Sequence, residues 1–171
     1  MRIARKIVAA ATATATAAVL AGVVGAGVAQ ASSPSTAQAP SACRPANHLA
    51  KITDAPASSG HRHYRVTLTA AHGYEACRLA GSPTGVRFSH HGTPDRVTAG
   101  RYGAQNKVVT FGPGHPVHFD IQVPNGRSGA LADEAAFTLR APGGVIPGES
   151  TAHGRLTVSA GTVIGPVQAG A

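Results

Sequence analysis

Between Pro116 and Gly126 the chain reads PVHFDIQVPNG. Val117, Phe119, Ile121 and Val123 alternate with His118, Asp120 and Gln122. Successive residues of a strand point to opposite faces, so this period of two marks a strand with one apolar and one polar face. The Asn125-Gly126 pair beyond it suits a two-residue hairpin turn, whose central residues take positive φ. The pattern continues in both directions: Tyr64, Val66 and Leu68 alternate with Arg65, Thr67 and Thr69, and Ala135, Phe137 and Leu139 repeat it. Leu156 and Val158 follow, then a short Val163-Ile164 run.

Clusters rich in Gly and Pro separate these segments: SSGH (58–61), GSPTG (81–85), HHGTPD (90–95), FGPGHP (111–116) and APGG (141–144). Each interrupts regular structure. No window from Ser32 onward sustains a helical apolar stripe, although Ala130 to Ala136 is compatible with one short helical turn. The expected fold is all-β: an antiparallel immunoglobulin-like sandwich of seven to nine short strands, with a small β-barrel as the alternative.

The first residues bear on compartment. Arg2, Arg5 and Lys6 precede an uncharged stretch from Ile7 to Ala29, and Ala29-Gln30-Ala31 has the small-residue pattern of a cleavage site. The segment 1–31 therefore reads as a secretory signal peptide. It is long enough to span a bilayer, so a retained anchor is the rival. Its Ala and Gly content and the lack of a following basic cluster favour cleavage, leaving no membrane span. The polar segment 32–42, rich in Ser, Pro and Ala, reads as a disordered spacer, and 43–170 as a single domain. Lipid attachment at Cys43 is disfavoured, because Pro40 occupies a position where an aliphatic residue is wanted.

The whole chain has 171 residues and a formal charge of +8. Without its first 31 residues it loses three basic groups and no acidic ones, so the charge falls to +5 while all nine histidines remain. Two cysteines in an exported chain are expected to pair, so Cys43 and Cys77 read as a disulfide. A nucleophilic Cys77 or a thiolate metal site would need a neighbouring base or paired CxxC spacing.

Several features recur together: Ala42-Cys43-Arg44-Pro45, the strand Arg65 to Ala70, Cys77-Arg78-Leu79-Ala80-Gly81-Ser82-Pro83, and Val86-Arg87-Phe88. A Phe111-Gly112-Pro113-Gly114 turn and Gly165-Pro166-Val167 follow. In this order the chain resembles the domain of unknown function 4232 family of exported actinobacterial proteins, over about Cys43 to Gly170. Ser82 departs from the aromatic usual between the Gly and the Pro. The resemblance implies a secreted β-rich domain without an assigned activity, and it transfers no catalytic residue.

Motifs for chemistry are sparse. Gly148-Glu149-Ser150-Thr151-Ala152 is a loose GxSxG, but no Asp or Glu follows Ser150 and His153 is only three residues away. A nucleophile elbow needs a strand-turn-helix and a later acid and histidine, so Ser150 reads as part of a loop before the last strand. Asp133 and Glu134 are adjacent, and in a regular strand they point apart. No phosphate-binding loop, dinucleotide fingerprint or HExxH occurs, so no cofactor is expected.

The histidines admit a metal reading. His61 and His63 share one strand face by their i, i+2 spacing, as do His118 and Asp120. Joined by His90, His91 or His115 from loops, they offer imidazole and carboxylate ligands suited to zinc or copper. The plainer reading is solvent-facing histidines without a shared ion. Collectively, their protonation in mild acid would raise the positive charge and strengthen attachment to anionic cell-wall polymers. Nucleic-acid binding is disfavoured, since basic residues are scattered and stacking aromatics are few. The expectation is a non-enzymatic, secreted or cell-wall-associated binding module, with anionic polymers or another envelope protein as partner. A metal-binding protein using His61, His63, His118 and Asp120 is the alternative.

Overall fold

A computed structural model describes residues 39–171, apart from 59 and 127. The signal peptide read at 1–31 and most of the spacer lie outside the described residues. After a short 3-10 turn at Pro45–Asn47, the strands follow as β1 (His48–Ser58), β2 (His61–Ala70), β3 (Cys77–Ala80), β4 (Thr84–His90), β5 (Thr93–Pro94), β6 (Gly100–Arg101) and β7 (Val108–Phe111). The second half comprises β8 (Val117–Pro124), β9 (Ala130–Thr138), β10 (Arg140–Ala141), β11 (Gly144–Val145), β12 (Ser150–Val158), β13 (Val163–Ile164) and β14 (Gln168–Ala169). These fourteen exceed the expected seven to nine, and six of them are only two residues long. The fold is all-β, and among the described residues no helix is long and apolar enough to cross a membrane.

Strand β8 shows how the sequence pattern becomes structure. Val117, Phe119, Ile121 and Val123 are buried, while His118, Asp120 and Gln122 between them are only partly covered. Strand β2 pairs with it in register, Tyr64 opposite Ile121 and Val66 opposite Phe119, so two apolar faces lie side by side on one core. Phe119 meets Phe137 of β9 edge to face, with ring centroids 5.1 Å apart, the arrangement favoured by the ring quadrupoles. Each such buried side chain contributes about 1.5–3 kcal/mol through removal of apolar surface from water.

The arrangement of the sheets differs in detail from an antiparallel sandwich. One ten-stranded mixed sheet, in the order β5-β4-β9-β12-β1-β2-β8-β13-β6 with β14 also on β8, curls into a half-barrel. Strand β1 pairs antiparallel with β2 but parallel with β12, Ala50 opposite Ala152. A short connection forces antiparallel pairing only on sequence neighbours. The direction of β12, about a hundred residues on, is set by how the chain returns to the open edge of β1. A second, two-stranded sheet of β3 and β7 adds Leu79, Val109 and Phe111 to the same core.

Two local expectations are corrected. Residues 130–136 form the greater part of β9 rather than a helical turn, because β9 pairs with both β4 and β12 and buries Ala132, Ala135 and Phe137. Pairing on both edges overrides the helical preference of alanine. Ser150 is the first residue of β12, opposite Phe137, and not part of a preceding loop. The ordered chain also reaches upstream of Cys43. Ala42 is fully buried, and its N–H donates to the Glu75 carbonyl at 2.8 Å.

The Cys77 to Pro83 segment carries the chain from the small sheet into β4. Gly81 sits at φ +69°, and a Cβ there would lie 2.7 Å from the Gln105 carbonyl oxygen, so both conformation and space require glycine. Ser82 is fully buried, and its hydroxyl donates to the Ile164 carbonyl at 3.0 Å while accepting from the Gln105 amide at 2.9 Å. A small hydroxyl residue fits this position because it is fully buried and its hydroxyl joins β13 to the loop that carries Gln105.

Candidate functional site

The four residues read as metal ligands all lie on the outer, polar side of the β2–β8 pair. Their register keeps them apart in function. Asp120 lies opposite Arg65 and forms an ion pair with it at 3.3 Å, and its charge helps burial push the Tyr102 phenol pKa up. His118 Nδ1 is 3.0 Å from the Gly170 carbonyl oxygen. His63 Nε2 bonds the Ser58 hydroxyl at 2.7 Å, and His61 sits one step further, opposite Pro124. The structure does not bring His61, His63, His118 and Asp120 together as a ligand set among the described residues.

The disulfide is present: Cys43 and Cys77 are joined, with Cα atoms 5.9 Å apart. It fastens the N-terminal segment to β3. Beside it runs a groove of ≈ 820 Å³. Pro45, Pro142, Ile146 and Pro147 give it apolar walls, and Arg44 and Arg78 place two guanidinium groups along it. Neither arginine has an ion-pair partner among the described residues. Glu149, also on the lining, is engaged by Arg87. An apolar trough with unpaired cations is suited to a ligand having an apolar body and a negative group.

The first strand carries a contact that sequence reasoning missed. His48 Nε2 is 2.9 Å from the Ser150 hydroxyl, and its Nδ1 is 2.9 Å from the Ala42 carbonyl oxygen. A carbonyl can only accept, so Nδ1–H donates to it and Nε2 accepts from the serine. Burial lowers the His48 pKa, outweighing the backbone hydrogen bonds that favour its charged form. The ring stands edge-on to Phe111 at 5.5 Å. Ser150 itself is 4 % exposed. The two residues are 102 positions apart, and no local pattern links them.

A second histidine arrangement sits at the tip of β4. His90 pairs with Thr93 across a two-residue loop, His91-Gly92, both at positive φ (48° and 76°). This is the turn that matches strand twist in hairpins, and histidine is among the few side chains that tolerate it. The His91 N–H donates to the Asp133 carboxylate, 3.2 and 3.1 Å from its two oxygens. Nδ1 of His90 and Nδ1 of His91 lie 3.3 and 3.2 Å from Asp133 Oδ2. One ligand atom from each of the three residues lies within 4.8 Å of the others. Glu134, the sequence neighbour of Asp133, instead accepts from Ser89 at 3.1 Å and lies 3.8 Å from His153. Asp133 and Glu134 thus serve separate clusters.

Fold and site together define an all-β domain, clamped by one disulfide at its N-terminal end and carrying its polar clusters on sheet rims and turns. Residues 43–169 match the family described as Domain of unknown function (DUF4232), and the chain belongs to that family. Compared with curated proteins and with solved structures, the chain shows no match.

Proposed function

We propose that the protein is an exported, non-enzymatic binding module of the cell envelope that takes an anionic partner in the groove beside Cys43–Cys77. The groove carries this reading: apolar walls of Pro45, Pro142, Ile146 and Pro147 next to Arg44 and Arg78, which have no ion-pair partner among the described residues. Export is supported by the basic start and apolar run of residues 1–31 and by a disulfide, which persists in oxidising compartments. The formal charge favours anionic wall polymers as partner.

A non-enzymatic role is supported by the setting of the serine–histidine pair. A nucleophilic serine needs an accessible hydroxyl and a base oriented by an acid. Ser150 is buried, and His48 is oriented by a backbone carbonyl instead. The pair fastens the N-terminal segment to β12.

Retention on isolated phosphate-bearing cell-wall polymer tests the proposal. Binding is expected at low salt, to increase from neutral to mildly acidic pH, and to fall by about tenfold in the double variant Arg44→Ala/Arg78→Ala, as loss of two charge-assisted contacts implies. Equal retention of wild type and double variant would overturn the groove as the binding surface, and no retention at low salt would overturn the anionic polymer as partner.

A further inference from the structure

We propose that His90, His91 and Asp133 form a surface site for one zinc ion, distinct from the groove. Three observations converge. First, two imidazoles and one carboxylate are the ligand types that suit zinc, and here one ligand atom of each lies within 4.8 Å of the others. Second, His90 Nδ1 is sealed from solvent yet makes no hydrogen bond, although Asp133 Oδ2 is 3.3 Å away. The pair is close but not aligned for a hydrogen bond, so this ring nitrogen is left without a partner. Third, the two nitrogen–oxygen distances, 3.3 and 3.2 Å, exceed those of strong charge-assisted hydrogen bonds. They match the edge of a zinc tetrahedron, about 3.3 Å for ligand bonds of about 2.0 Å.

The backbone supports the same reading. A histidine at positive φ is uncommon, and here it lets His91 present both its N–H and its ring to one carboxylate. A recess of ≈ 290 Å³ walled by Leu131, Ala132 and Leu156 adjoins the cluster, giving a fourth position access to water. Arg155 also lines that recess, and with a single carboxylate present the site does not gather cations by net charge. It selects for an ion that bonds imidazole directly, and against calcium and magnesium, which want several oxygens.

Zinc titration by calorimetry near neutral pH, on protein purified without a polyhistidine tag, tests the site. One zinc per chain is expected, with affinity reduced by about tenfold or more in His91→Asn and in His90→Gln. Asparagine accepts positive φ, so His91→Asn keeps the hairpin while removing the imidazole, and an unchanged circular dichroism spectrum will show that it does. The double variant His61→Gln/His63→Gln should bind as wild type does, and calcium and magnesium should give no heat. Absence of zinc binding at micromolar metal would overturn the site. So would affinity that survives in both His90→Gln and His91→Asn, or that is lost in the His61/His63 variant.

Discussion

His48 and the His90–His91 pair are the same chemistry in two settings. His48 is held between strands, with a carbonyl on one ring nitrogen and a hydroxyl on the other, so its bonding capacity is used up and burial keeps it neutral. His90 and His91 stand at a hairpin tip around one carboxylate, with a ring nitrogen left unpartnered. A satisfied buried imidazole stabilises the fold and is closed to ligands. An under-satisfied cluster at a rim contributes little to stability and is open to them.

The largest effect should come from the clamp that surrounds His48. Replacing both Cys43 and Cys77 by alanine releases a loop spanning 34 positions and should cost about 3–4 kcal/mol on the loop-entropy account. Urea unfolding would show a lower midpoint than wild type, and a change below about 1 kcal/mol would mean that the N-terminal end is held mainly by its hydrogen bonds and packing.

Next in size is His48→Gln, which should cost about 1–3 kcal/mol by leaving Ser150 or the Ala42 carbonyl poorly satisfied. The variant also tests the direction of pH dependence. The folded pKa of His48 lies below its ordinary value, so between the unfolded value near about 6.5 and the lower folded value the unfolded chain binds more protons. The contribution of His48 is therefore fully present above that window and declines as pH falls through it. Thermal midpoints measured from neutral to mildly acidic pH should fall more steeply for wild type than for His48→Gln; equal slopes would show that other groups carry the acid sensitivity.

The smallest effect belongs to the rim. His91→Asn should change metal-free stability by no more than about 0.5 kcal/mol, because an exposed turn position is exchanged for a residue that accepts the same backbone. Denaturation of the two proteins with a chelator present would check this. A loss as large as that of His48→Gln would make the His91–Asp133 contact a structural support and erase the contrast between the two regions.

Much of this was legible from residue order. Alternation identified β2, β8, β9 and β12 as strands, because a half-covered sheet enforces a period of two on every residue that packs. It gave no sign of β1, where Ile52 alone is buried and Leu49 is 78 % exposed. That strand is specified by its partners on both edges more than by its own side chains. The disulfide was readable because a chain with two cysteines has one internal pairing available. Gly81 was readable as a turn residue, while the carbonyl of Gln105 that excludes a side chain there was not.

Local chemistry thus determined the all-β class, the positions of most long strands, the clamp and the membership of a family. Tertiary structure decided the curled mixed sheet with its parallel β1–β12 pair, the burial of Ser150 against His48, and which histidines meet. Spacing of two places His61 with His63, and His118 with Asp120, on one face, yet strand register hands Asp120 to Arg65 and His63 to Ser58. Asp133 reaches His90 and His91 because β4 runs antiparallel beside β9 and its hairpin turns at the level of that carboxylate. Registers of this kind depend on how distant segments pair, and no short window of sequence encodes that.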